Sequence, residues 1–181
     1  MSTGYRKKLL LPLFIFILFD IGSTQESAQF DINRIRNDIE NNGMIVSYRP
    51  SGHSGMEWPA GGNVYSNFVS GIWFAGRVSD SIRIAASAYG SDFDPGPLGG
   101  GPVGSDEIYV VYKSDLYHPL SNSDFQNWPV NLGAPWVDND GNGIYSPMPD
   151  GPDHPEFIGD QVIWFVMNDG NSDPHDLFAT E

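Results

Sequence analysis

Between Trp136 and Asp153 the chain reads WVDNDGNGIYSPMPDGPD, the stretch whose residue types and spacing come nearest to a chemistry. Asp138, Asp140 and Asn142 alternate, which places three oxygen-bearing side chains along one curling segment of backbone. Gly141 and Gly143 let the chain curl and bring the next carbonyl, that of Ile144, inward. Asp150 and Asp153 follow with more carboxylate oxygen. A Ca²⁺ ion takes about six to eight oxygens at once. The candidate shell is therefore Asp138, Asp140, Asn142 and the Ile144 carbonyl, completed by Asp150 or Asp153.

The same residues have a plainer use. Asp, Asn and Gly are the vocabulary of tight turns, and Asp-Gly or Asn-Gly between apolar pairs marks a hairpin. Trp136-Val137 and Ile144-Tyr145 are such pairs. A helix-loop-helix calcium hand is excluded on two counts. Its twelfth position, counted from Asp138, is Pro149 instead of a bidentate acid, and Pro147 and Pro149 prevent a helix from leaving the loop. Two alternatives stay open: a calcium-clamped β-hairpin or surface loop, and an acidic turn that needs no ion.

The rest of the chain must position this stretch. Residues 1–24 read as a secretory signal peptide, with Arg6, Lys7 and Lys8 before an apolar run from Leu9 to Phe19 and small residues Gly22, Ser23 and Thr24 after it. The run spans only about half of a bilayer core and is closed by Asp20, so cleavage near Ser23 to Gln25 is expected, with no membrane span afterwards. Residues 25–181 fit one β-rich domain. The chain has no cysteine, so neither disulfides nor thiolate metal sites hold an exported fold together. Losing Arg6, Lys7, Lys8 and Asp20 with the leader moves the formal charge from −14 to about −16, a surface that repels nucleic acid and attracts divalent cations.

Taken in order, residues 27–43 carry Ile32, Ile35 and Ile39 at helical spacing behind Asp31, which predicts a short helix, with a strand over Phe30 and Ile32 as the rival. Met44 to Tyr48 predicts a brief strand, and 49–63 a Gly/Pro/Ser-rich loop. VSGIWFAGRV and SIRIAASA around Ser79-Asp80 predict an antiparallel hairpin, in which Gly71 and Gly76 imply close approach of another backbone. Residues 92–105 are too rich in Gly and Pro for regular structure and lack the lysine of a phosphate-binding loop. EIYVVYK (107–113) and QVIWFVM (161–167) predict two more strands. The fold class is therefore mainly β: an antiparallel β-sandwich or open barrel with long Gly/Pro-rich loops and at most one short helix.

Other chemistry is thinly supported. Trp58 and Trp128, each followed by proline in a loop, are candidate exposed aromatics for stacking on sugar rings, whereas Trp164 belongs in the core. Glu57, Glu156, Asp160 and Asp169 contain the material for a glycosidase carboxylate pair, but acids are too abundant here for that to identify one. The four histidines, His53, His118, His154 and His175, lack zinc-ligand spacing, and no G-x-S-x-G elbow is present. The expected function is a non-catalytic, structural or adhesive secreted domain. The alternative is a carbohydrate-binding module or an accessory domain of a polysaccharide-degrading enzyme.

GIWFAGRVSDSIRIAASAYGSDF, GGPVGSDEIYVVYK, WPVNLGAPWVDNDGNGIYSP and IGDQVIWFVMNDGNSDPHDLFATE together resemble the N-terminal region of large secreted multidomain bacterial proteins that end in a type IX secretion sorting domain. The resemblance covers roughly residues 30–181. It implies export, release or attachment at the outer cell surface, β-rich architecture, and downstream domains as partners alongside an extracellular polysaccharide or cell-surface partner. It implies no activity. Proteins of that kind continue for hundreds of residues, so the resemblance also implies a fragment of a longer protein.

Overall fold

The structure is a computed structural model that describes residues 25–46 and 54–171. The expected leader, Tyr48, His53 and His175 lie outside the described residues.

The chain is mainly β and its ladders are antiparallel. In order these are β1 (Ser27–Phe30), β2 (Arg36–Glu40), β3 (Met44–Ile45), β4 (Met56–Glu57), β5 (Tyr65–Ser66), β6 (Ser70–Gly71), β7 (Trp73–Val78), β8 (Ser81–Ala86) and β9 (Asp94–Pro95). After them come β10 (Tyr109–Tyr112), β11 (Trp136–Val137), β12 (His154–Pro155), β13 (Gln161–Trp164) and β14 (Met167–Asn168). The first six form one sheet in the order β5-β4-β2-β3-β6, with β1 on the other edge of β2; four further ladders pair β7 with β8, β9 with β14, β10 with β13 and β11 with β12. No barrel closes among the described residues. The one α-helix among the described residues, α1, is a single turn at Ser123–Gln126.

The helix expected over 27–43 is a hairpin instead, with Ser27 opposite Glu40 and Phe30 opposite Asn37. The helical spacing of the isoleucines misleads because they share no buried face: Ile32 and Ile35 are exposed and only Ile39 enters the core. The hairpin expected around Ser79-Asp80 is present, with both turn residues in the left-handed region (φ 48° and 66°) that a two-residue hairpin turn demands. Of its two glycines only Gly71 lies against another backbone, where a Cβ would meet the Ser87 carbonyl oxygen at 2.0 Å; around Gly76 there is open space. The strand expected at 161–167 breaks into β13 and β14, and both halves find partners within the chain.

The aromatic core cluster sits in the second half. β10 and β13 turn Tyr109, Val111, Val162 and Trp164 to one side, where they pack with Phe125, Trp128 and Ala134. Trp164 is half-buried there, with its ring 6.3 Å from that of Trp128 and 6.2 Å from that of Tyr109. The free edge of β10 is satisfied by the start of α1: Val110 N–H donates to Asp124 Oδ2 (2.8 Å) and its carbonyl accepts from Asn122 Nδ2 (3.0 Å). Trp136 and Tyr145 lie against this cluster edge to face, 5.5 Å apart. They are the two aromatic residues that flank the acidic loop, so the core fixes the loop's base.

Candidate metal centre

The loop joins β11 to β12. Trp136 pairs with Pro155 and Val137 with His154, so Asp138 and Asp153 lie just beyond the end of that ladder, where Asp153 bridges to Pro147. Asp153 is fully buried; its Oδ1 accepts from Asn139 N–H (3.0 Å) and its Oδ2 from Ser146 N–H (2.9 Å). The chain folds back locally because Asp153 N–H donates to the Ser146 carbonyl (3.1 Å) and Gly151 N–H to that of Pro147 (3.0 Å). Only glycine fits at 151, where a Cβ would stand 2.2 Å from the Ser146 carbonyl oxygen.

The DNDGNG segment curls as its glycines require, Gly141 and Gly143 both lying in the left-handed region (φ 72° and 73°). Asp138 Oδ1 accepts from Gly141 N–H (2.7 Å) and Asn142 N–H (3.2 Å), and its Oδ2 from Gly143 N–H (2.8 Å). Those N–H groups, Gly143 foremost, hold the Asp138 carboxyl below its ordinary pKa and keep it ionised, the form a metal needs. Asp140 takes the backbone N–H and the side-chain amide of Asn142 (3.1 and 2.8 Å), and Asn142 Oδ1 accepts from Ile144 N–H (2.6 Å). Burial, helped by nearby Asp153, raises the Tyr145 hydroxyl, which donates to the Phe125 carbonyl (2.7 Å).

One carboxylate oxygen from each of Asp138, Asp140 and Asp153 lies within 4.8 Å of the others. Two oxygens about 2.3–2.6 Å from one Ca²⁺ ion are at most about 4.6–5.2 Å apart, so the spacing suits a shared shell. Asp153 is thus the carboxylate brought to the group. Asp150 is exposed in the preceding turn and lies outside it. Asn142 and Ile144 are exposed beside the group, and the Asn142 carbonyl oxygen already accepts one hydrogen bond, which leaves a second lone pair.

No lysine or arginine occurs in the sequence after Lys113, and the ion pairs Arg36–Glu57 and Arg77–Asp80 lie in the first half.

The remaining candidates fall apart. Trp128 is 2% exposed and donates its indole N–H to the Pro135 carbonyl (2.9 Å), so it is a core residue and no sugar platform. Proline after tryptophan marks a loop in the sequence, and here the loop tucks its tryptophan inward. Trp58 is exposed, as is Trp73 on β7. Glu57 is buried and bonded to Arg36 (3.0 Å) and Asn63 N–H (2.8 Å), which gives it a structural use. Glu156 and Asp160 are exposed. No helix among the described residues is long and apolar enough to cross a membrane. Comparison of the chain with protein-family models, curated proteins and solved structures finds no match.

Proposed function

We propose that this is a non-catalytic β domain of an exported protein, structural or adhesive in role, in which residues 138–153 bind one Ca²⁺ ion that ties β11 to β12. The observation that carries the reading is the meeting of one carboxylate oxygen from each of Asp138, Asp140 and the buried Asp153 within 4.8 Å of one another. Like charges held close together repel, and a buried carboxylate needs compensation. No lysine or arginine follows Lys113 in the sequence to supply a permanent cation from the loop's own stretch of chain. A divalent ion supplies that charge. Asp138, Asp140 and Asp153 are the proposed anionic ligands, with Asn142 and the Ile144 carbonyl as neutral ones and water for the remainder.

Such an ion has a structural task here. Residues 138–144 hold themselves by short side-chain-to-backbone bonds, and a metal would fasten that curl to the buried Asp153 and thus to the aromatic core. Export and attachment are supported by the leader-like residues 1–24 and by the resemblance to type IX-secreted proteins, whose downstream domains would be the partners.

Heating the protein in EDTA and then in millimolar Ca²⁺ tests the metal. Free ion at a hundred times Kd stabilises by about 2.7 kcal/mol, so Tm is expected to rise by several degrees. Equal Tm in both buffers removes the ion. Secretion is tested separately by sequencing the N-terminus of the exported product: a start near Ser23 to Gln25 supports it, and retention of Met1 in the membrane fraction opposes it.

A further inference from the structure

We propose that Asn142 is a site of spontaneous covalent modification, converted with Gly143 through a cyclic imide to aspartate and isoaspartate, while the chain's other Asn-Gly pair, Asn42-Gly43, is protected. These are the two Asn-Gly steps of the sequence, and the fold gives both the same local shape. Gly43 and Gly143 are left-handed (φ 81° and 73°). In each pair the Asn side-chain oxygen accepts from the N–H two residues on, Met44 for Asn42 (3.2 Å) and Ile144 for Asn142 (2.6 Å). Such a bond closes a ring that contains both the Asn side-chain carbon and the glycine nitrogen, so the two atoms that must join are held on one turn. Glycine has no Cβ to obstruct their approach.

The reaction needs only water. The glycine nitrogen bonds to the Asn Cγ, its proton leaves to solvent, the Cγ–Nδ2 bond breaks and ammonia departs. Water then opens the imide at either carbonyl, which leaves aspartate or, with the main chain running through Cγ, isoaspartate.

Surroundings separate the two pairs. Asn42 and Gly43 are buried, and their peptide is fixed on every side. Gly43 N–H donates to the Glu40 carbonyl (3.0 Å), and the Gly43 carbonyl accepts from Ile72 N–H (3.1 Å). The Asn42 carbonyl accepts from the hydroxyls of Ser87 (2.9 Å) and Ser91 (2.6 Å). Ring closure rotates this peptide out of those bonds, so the β2–β3 turn and its contacts with residues 72–91 must open first. Asn142 and Gly143 are exposed, and nothing lies within 4 Å of where a Gly143 Cβ would stand. Their bonds to Asp138 (Gly143 N–H to Oδ2, 2.8 Å) and Asp140 (Asn142 Nδ2 to Oδ2, 2.8 Å) stay within one exposed loop. That loop can open without disturbing the core. Conversion replaces the Nδ2 donor to Asp140 by a carboxylate, adding a like charge beside Asp138 and Asp140, and isoaspartate also lengthens the backbone of the curl by a methylene.

The test incubates the native chain in EDTA and warm, mildly alkaline buffer, beside the same chain in guanidinium chloride, and follows both sites by mass spectrometry of their peptides. EDTA keeps the outcome independent of the calcium reading. The readout is each site's rate when folded divided by its own rate when unfolded, which cancels differences due to neighbouring residues. That ratio is expected to be at least about tenfold higher at Asn142 than at Asn42, because opening a buried sheet turn costs more than opening an exposed loop. Equal ratios, a higher ratio at Asn42, or an Asn142 that converts when unfolded but not when folded would each overturn the proposal.

Discussion

Two antiparallel ribbons of this molecule make an instructive pair. β7–β8 is long and regular, six residues a side and fully paired, yet Trp73, Phe74, Ile82 and Ile84 along it are all exposed. β11–β12 is two residues a side, yet Asp153 and Pro155 at its foot are among the most buried residues of the chain. Ladder length and apolar content therefore do not decide which ribbon is anchored. What decides is contact with the aromatic cluster around Phe125 and Trp128, which the short ribbon has through Trp136 and Tyr145.

The strongest way to break this contrast is to remove the anchor. Phe125→Ala or Trp128→Ala should cost about 3–5 kcal/mol in urea unfolding, because each deletes a fully enclosed ring from the cluster. A loss below about 1 kcal/mol would mean that the cluster does not hold the second half together. Next in size is Asp153→Ala, which strands the N–H groups of Asn139 and Ser146 and should cost about 2–3 kcal/mol even without metal. Asp153→Asn keeps an acceptor and should lose less, while abolishing any calcium-dependent gain in Tm.

Acid sharpens the comparison from the electrostatic side. Asp138 and Glu57 both have carboxyls held below their ordinary pKa values, Asp138 by the N–H of Gly143 above all and Glu57 by the backbone N–H groups of Gly61 and Asn63 and then by Arg36. A depressed folded pKa gives stability that is present above the ordinary values of 3.8 and 4.5 and is lost as pH falls through the folded ones. Asp38 is raised by burial, so its contribution runs the other way and is relieved on acidification. Urea midpoints of the metal-free protein should accordingly fall below about pH 4.5, more steeply in Asp38→Asn than in the native chain. A flat profile would deny these carboxylates their hydrogen-bonded role. The smallest effect belongs to the long ribbon: Ile82→Thr should change stability by no more than about 0.5 kcal/mol, since that side chain touches water already.

Much of the fold was legible, and the failures share a cause. Alternation in VSGIWFAGRV and SIRIAASA predicted the long hairpin because strand pairing there is local, and Ser79-Asp80 provides its turn. The isoleucine spacing of 27–43 failed because whether a periodic face is buried depends on partners far along the chain; Asn41 Nδ2, for example, donates to the Asp106 carbonyl (2.6 Å). Trp128 failed for the same reason, its indole N–H being satisfied by a carbonyl seven residues on. In the acidic loop, Asp138 and Asp140 were readable from spacing alone. The choice of Asp153 over Asp150 depends on the bridge of Asp153 to Pro147 and its bonds from Asn139 and Ser146, which sequence spacing does not encode.

Calorimetric titration of Ca²⁺ into the EDTA-stripped, dialysed protein measures the central claim directly. One saturable site per chain is expected, lost in Asp153→Asn and in Asp138→Asn but retained in Asp150→Asn. Heats indistinguishable from dilution up to millimolar Ca²⁺, or a site that survives Asp153→Asn, would contradict it.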